Sequence, residues 1–218
     1  MGLGQSLSKL NTLDSSLVVL FNKSRKYDFP PKLSFSDGEL LEVVSDIKLV
    51  GVIISDDLRW NKNTDFICLK ATRKLWTLRR LKQYELDIFH IFDVYCKEVR
   101  SLLEMAVPVW HGGLTKSESK QIENVQKTAF KIILGPHYIN YEVACTIFGV
   151  EPLELRRIQL CVKFSKRDLK KPNTIFTKTQ QFNQTRSKPK VVKEFQCRTR
   201  RFEKSSIPYL SKLLNTET

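Results

Sequence analysis

The apolar residues of this chain change their period once. Up to about residue 54 they come in short runs: LVVLF at 17–21, the arms Leu33-Ser34-Phe35-Ser36 and 39–44 on either side of Asp37-Gly38, and a run at 47–54. Short apolar runs bounded by turn residues predict strands. Asp-Gly readily supplies the positive φ angles of a two-residue hairpin turn, so the stretch 17–54 predicts a small antiparallel sheet. Gly51 interrupts the last run, which predicts a bulge or a close approach by another backbone.

Beyond Trp60 the period is helical. Ile67, Ala71, Leu75, Leu78 and Leu81 make one stripe over 64–83, and Ile88, Ile91, Phe92, Tyr95, Val99, Leu102 and Ala106 make another over 87–105. The best-delimited helix starts near Lys116. Pro108 and Gly112-Gly113 end what precedes it, Thr115 and Glu118 form a capping box, Ile122, Val125, Ala129, Ile132 and Ile133 share a face, and Gly135-Pro136 closes it. Asn140 caps a short helix ending at Gly149, and Pro152 opens one running to about Leu169. Residues 172–203 are polar, basic and aperiodic, which predicts a mobile arm, after which Ile207-Pro208-Tyr209-Leu210 can dock back. The fold class predicted is α+β: a small antiparallel sheet, then a mostly α-helical bundle and a poorly ordered basic tail.

Charge sharpens this picture. Residues 1–60 hold 7 basic and 8 acidic side chains, the remaining 158 hold 30 and 15, so the excess lies downstream of Trp60. Such asymmetry points to a polyanionic partner, because cations that displace condensed counterions gain free energy from each phosphate neutralised. The most basic helix is 64–83: Lys70, Arg73, Thr77 and Arg80 line one stripe, Lys74, Arg79 and Lys82 add to it, and no acid stands between Lys70 and Lys82. The last long helix carries Arg156, Arg157, Lys163, Lys166, Arg167, Lys170 and Lys171.

Catalytic patterns are scarce. His90, His111 and His137 are far apart, and Cys68, Cys96, Cys145, Cys161 and Cys197 form no Cys-x-x-Cys pair, so reduced thiols in an intracellular protein are expected. His111 sits in a Pro-Val-Trp-His-Gly-Gly stretch that predicts a loop packed down by Trp110. Asp56-Asp57 follows a strand, as metal-binding aspartates of polymerases do, but Leu58-Arg59-Trp60 reads as a turn and assigns the pair to a loop. No phosphate-binding glycine loop occurs, and no apolar run reaches the ~20 residues of a membrane span. Gly2 with Ser6 fits the bare myristoylation pattern.

Taken in order, the blocks resemble the C-terminal part of the reverse transcriptase of non-LTR (LINE-type) retrotransposons, over about residues 15–214. Those that carry the resemblance are Lys48-Leu49-Val50-Gly51-Val52-Ile53, Leu58-Arg59-Trp60, Lys70-Ala71 with 75–81, Val94-Tyr95 with 100–104, 108–115, 125–129, 132–135, 156–164, and Thr199 to Asn215. The resemblance implies that 1–60 is the end of a palm, 61–136 a helical thumb, 137–171 C-terminal helices and 172–218 a basic tail. Leu49, Val50 and Gly51 stand at the primer-grip position, where relatives often have Tyr-Leu-Gly. The family is RNA-directed DNA polymerase, but its fingers and its aromatic-Ala-Asp-Asp strand would lie before Met1.

The resemblance therefore implies a truncated fragment, inactive alone, with no catalytic or metal-binding residue of its own. No cofactor is expected in this chain, since magnesium would be bound by the missing palm, and no small-molecule substrate. The partner implied is the backbone of an RNA–DNA hybrid or DNA duplex, held by Lys70, Arg73, Lys74, Arg79, Arg80 and Lys82, with Arg156 and Arg157. A nuclear or cytoplasmic location follows. The alternative is a recruited, non-enzymatic nucleic-acid-binding or interaction protein.

Overall fold

A computed structural model describes residues 17–18, 42–176 and 191–216. They belong to two units, Met1–Asn63 and Thr64–Thr218. In the first, β1 (Leu17–Val18) and β2 (Glu42–Val43) pair in parallel, Leu17 opposite Glu42, whereas β3 (Asp46–Leu49) and β4 (Val52–Ser55) form the antiparallel sheet, Leu49 opposite Val52. The arms expected around Asp37-Gly38 up to residue 41, and residues 19–21, lie outside the described residues.

The single strand expected over 47–54 is in fact a hairpin. Val50 and Gly51 both take positive φ, 48° and 86°, the sign that a type I′ turn requires at its two central positions. A β-branched residue is poorly suited to that region, so the sequence does not announce the turn. Asn63 Oδ1 accepts from Ile53 N at 3.1 Å, and Lys62 Nζ lies 2.5 Å from Asp46 Oδ1, both within this unit.

The second unit is helical. α1 (Asn61–Gln83), which starts in the first unit, buries Ile67, Ala71, Leu75 and Leu78 as the stripe predicts. α2 (Ile88–Val94) starts at Asp87, whose carboxylate accepts from Phe89 N at 2.8 Å, and continues through a π-helical turn (Tyr95–Arg100) into α3 (Ser101–Glu104). The stretch expected as a loop around His111 is helical: α4 (Val107–Trp110) followed by a 3₁₀ turn (His111–Gly113). Trp110 does pack it down, fully buried with Nε1 donating to Met105 O at 2.9 Å.

α5 (Lys116–Leu134) has both bonds of its capping box: Glu118 N donates to Thr115 Oγ1 at 3.2 Å, and Thr115 N to Glu118 Oε2 at 2.6 Å. α6 (Tyr141–Ile147) is capped by Asn140, which accepts from Val143 N at 2.8 Å. α7 (Leu153–Asp168) follows, and then α8 (Arg200–Glu203) and α9 (Ser206–Thr216). The aromatic core lies where α2, α5 and α6 meet, with Phe92 stacked on Phe148 at 4.3 Å and Phe130 against both Tyr95 and Tyr141.

The tail is less uniform than its lack of period suggests. α9 packs on α7 and α4 and buries Pro208, Leu210, Ser211 and Leu214, so residues 207–210 dock back. Val192 is fully buried, and Asn215 closes on its backbone, accepting from Val192 N at 3.2 Å and donating to Val192 O at 3.0 Å. Contacts made by residues distant in sequence supply this order, which local periodicity does not register.

Candidate nucleic-acid interface

The exposed side of α1 follows from its phase. With Ile67, Ala71, Leu75 and Leu78 turned to the core, residues 69, 70, 73, 76, 77 and 80 fall on the opposite side, at steps of three and four. Lys70, Arg73 and Arg80 are exposed there. Leu69, 52 % exposed, and Trp76, 62 % exposed, share this side, and Tyr84, just past the helix end, is 70 % exposed. Lys70 Nζ lies 4.5 Å from the Phe66 ring centroid, and the Arg80 guanidinium lies 5.6 Å from Trp76 and 5.9 Å from Tyr84. Sequence reasoning missed these aromatic residues. Their signal is an apolar side chain out of phase with the buried stripe.

The other cations expected at the interface are placed differently. Arg79 is exposed but flanks this side of the helix. Lys74 pairs with Glu98 at 2.8 Å. Lys82 Nζ donates to Ile133 O at 2.8 Å, where a cation satisfies an orphan carbonyl at the C-terminal end of α5. Arg156 is half-buried and tied to Glu104 through Nε and through Nη2 at 3.2 Å, with Arg100 on the same carboxylate at 3.5 Å. It clamps α7 to α3.

Arg157 is a correction. It is completely buried, so a phosphate cannot reach it. The reason is phase: Leu153, Arg157, Cys161 and Ser165 recur every four residues on the buried side of α7. Its Nη2 donates to Ser119 Oγ at 2.7 Å and its Nε to His111 Nδ1 at 3.4 Å. Nη1 lies 4.0 Å from Glu123 Oε2. Burial, opposed by the Glu123 charge, lowers the Arg157 pKa. Burial and the Arg157 charge together push His111 down to about 4, so its imidazole stays neutral and can accept from Arg157.

A chain of hydrogen bonds extends this network. Tyr95 Oη donates to Gln126 Oε1 at 2.5 Å, Gln126 Nε2 donates to Tyr141 Oη at 2.7 Å, and Tyr141 Oη donates to Glu123 Oε1, which also accepts from Leu153 N at 2.9 Å. Burial raises both tyrosines above their usual range, and at Tyr141 the Glu123 charge adds to it. They remain proton donors at neutral pH. With Tyr95, Gln126 and Arg157 fully or almost fully buried, the network holds helices together.

Leu49, Val50 and Gly51 form the hairpin tip of the first unit, with Leu49 56 % and Val50 91 % exposed. Asp56 and Asp57 lie in the turn after β4, where Asp57 Oδ1 accepts from Arg59 N at 2.9 Å. Among the described residues, no group of three His, Cys, Asp or Glu side chains is arranged to hold a metal ion, and no helix is long and apolar enough to cross a membrane. All five cysteines are free, and burial pushes Cys68 up to about 11 and Cys161 up to about 12, which makes both poor nucleophiles. A shallow hollow of about 520 Å³ on α7 has Ile158 and Val162 in its lining beside Lys163, Lys166, Arg167 and Lys170. Compared with known proteins, the chain is matched by no family model, no curated protein and no solved structure.

Proposed function

We propose that this chain binds the backbone of an RNA–DNA hybrid or DNA duplex without reading its sequence, through the exposed side of α1. The observation that carries this reading is a helix face on which Lys70, Arg73 and Arg80 are exposed and no carboxylate intervenes. Ten residues of helix separate the first from the last, about 15 Å of axis at 1.5 Å per residue, enough to follow a phosphate backbone. Cations so placed position a duplex and carry no base-reading information.

The ordered resemblance to LINE-type reverse transcriptases supports the same reading. In that family the corresponding thumb helix lies against the template–primer duplex. The reading gives α1 a holding role and no catalytic step, and it fits a nuclear or cytoplasmic protein. Lys74 and Lys82 are engaged by protein groups and Arg156 by Glu104, so the binding set narrows to Lys70, Arg73 and Arg80, with Arg79 at its flank.

Fluorescence anisotropy with labelled hybrids and duplexes of several unrelated sequences tests it. The expected result is similar affinity for all of them and a marked loss in a chain with Lys70, Arg73 and Arg80 changed to Ala. Undiminished binding by that variant, with its helical signal intact, would remove α1 from the function.

A further inference from the structure

We infer that Trp76 and Tyr84, with Arg80 between them, hold unpaired nucleotides adjoining the duplex that α1 grips. The inference rests on the backbone-binding reading and adds a ligand feature to it: a single-stranded extension. A lone exposed apolar residue is ordinary and needs no explanation. Here two large aromatic rings, 62 % and 70 % exposed, stand on the same side of the helix as Lys70 and Arg73. One guanidinium, that of Arg80, is shared between them at 5.6 and 5.9 Å from the ring centroids. The cation restrains both rings, and their high exposure leaves ring surface open to solvent.

The chemistry of this patch favours a polynucleotide over a protein partner. Aromatic and Arg side chains also anchor protein interfaces, but from Leu69 to Tyr84 the chain offers cations and no carboxylate, Asp65 lying a turn earlier and accepting from Gln121 at 2.9 Å. A polyanion that also has flat π-faces satisfies both features at once. Paired bases are stacked on their neighbours and expose no face except at an end, whereas an unpaired base can stack on an indole or phenol. The order along the helix then gives the ligand a direction: Lys70 and Arg73 on backbone phosphates of the duplex, Arg80 on the duplex phosphate at the junction, and Trp76 and Tyr84 on the strand that leaves it. Stacking of this kind tolerates any base, which agrees with binding that does not read sequence.

The test uses the full chain with three labelled ligands: a blunt duplex, the same duplex with a short unpaired extension, and a single strand of the extension's sequence. The parent should prefer the extended duplex over the blunt one by about tenfold, the worth of one stacked base. Trp76→Ala should lose that preference while keeping its affinity for the blunt duplex, and Trp76→Phe should retain most of it. Equal binding of blunt and extended duplex by the parent, or an unchanged preference in Trp76→Ala, would overturn the inference and leave the backbone-binding reading in place. Failure of the parent to bind any of the three would overturn both. Displacement of the extended duplex by an acidic peptide as readily as by the single strand would assign this face to a protein and overturn the inference too.

Discussion

Nη1 of Arg157 lies 4.0 Å from Oε2 of Glu123, in a place where the arginine has no exposed surface. The pair joins α7 to α5, and Ser119 and His111 complete the guanidinium's surroundings. Removing one partner of a buried pair leaves the other charge uncompensated, which costs about 3–5 kcal/mol. Arg157→Leu should therefore unfold at markedly lower denaturant concentration than the parent. Its affinity for duplex, measured where both chains are folded, should be unchanged. A variant of normal stability and weakened binding would return Arg157 to the interface.

His111 predicts a pH dependence. Its folded pKa is lowered to about 4 from an ordinary 6.5, so between those values the unfolded chain binds the proton and the folded chain does not. Stability should then fall as the pH drops from about 6.5 towards 4, by on the order of 3 kcal/mol for this group acting alone. Denaturant melts across that range check it. His111→Gln, which can still accept from Arg157, should flatten the curve in that window; an equally steep fall in the variant would contradict the assignment.

Gly112 sets how closely the C-terminal segment approaches. A Cβ there would stand 2.6 Å from Tyr209 Cγ and 2.8 Å from Lys204 O, and the second of these is backbone that cannot swing away. Gly112→Ala should loosen the segment from α8 to α9, at a cost of about 1–3 kcal/mol. Hydrogen exchange should accelerate over 206–216 and stay slow in α5. Unchanged protection of α9 would mean that the segment shifts without loss.

Val50 is strained at the hairpin tip, with φ at +48° and its side chain 91 % exposed. Asn tolerates that region and loses no packing there, so Val50→Asn should stabilise the hairpin by about 1 kcal/mol. Slower exchange of the β3 and β4 amides is the expected readout. Faster exchange would show that Val50 has a partner in solution.

These elements differ in how far the sequence reveals them. The capping box of Thr115 and Glu118 and the Asn140 cap are local, so residue type and spacing suffice to find them. The α1 stripe was legible too, because Ile67, Ala71, Leu75 and Leu78 repeat at one period. The β3–β4 turn was not, since it uses Val50 where turn chemistry calls for Asn or Gly. Arg157 was misjudged because its partners Glu123 and Ser119 lie more than thirty residues away, although its phase with Leu153 and Cys161 pointed inward. Trp76 and Tyr84 are obscured for a different reason: they stand among the cations of α1, and only their phase against the buried stripe marks them as lying on the wrong side for a core.

The salt dependence of duplex binding tests the central claim most directly. If Lys70, Arg73 and Arg80 each neutralise one phosphate, log affinity should fall against log salt with a slope near −3, and each single Ala replacement should flatten it by about one unit. The triple variant should retain little slope from α1. A triple variant that keeps the helical signal, the affinity and the slope of the parent would contradict the account.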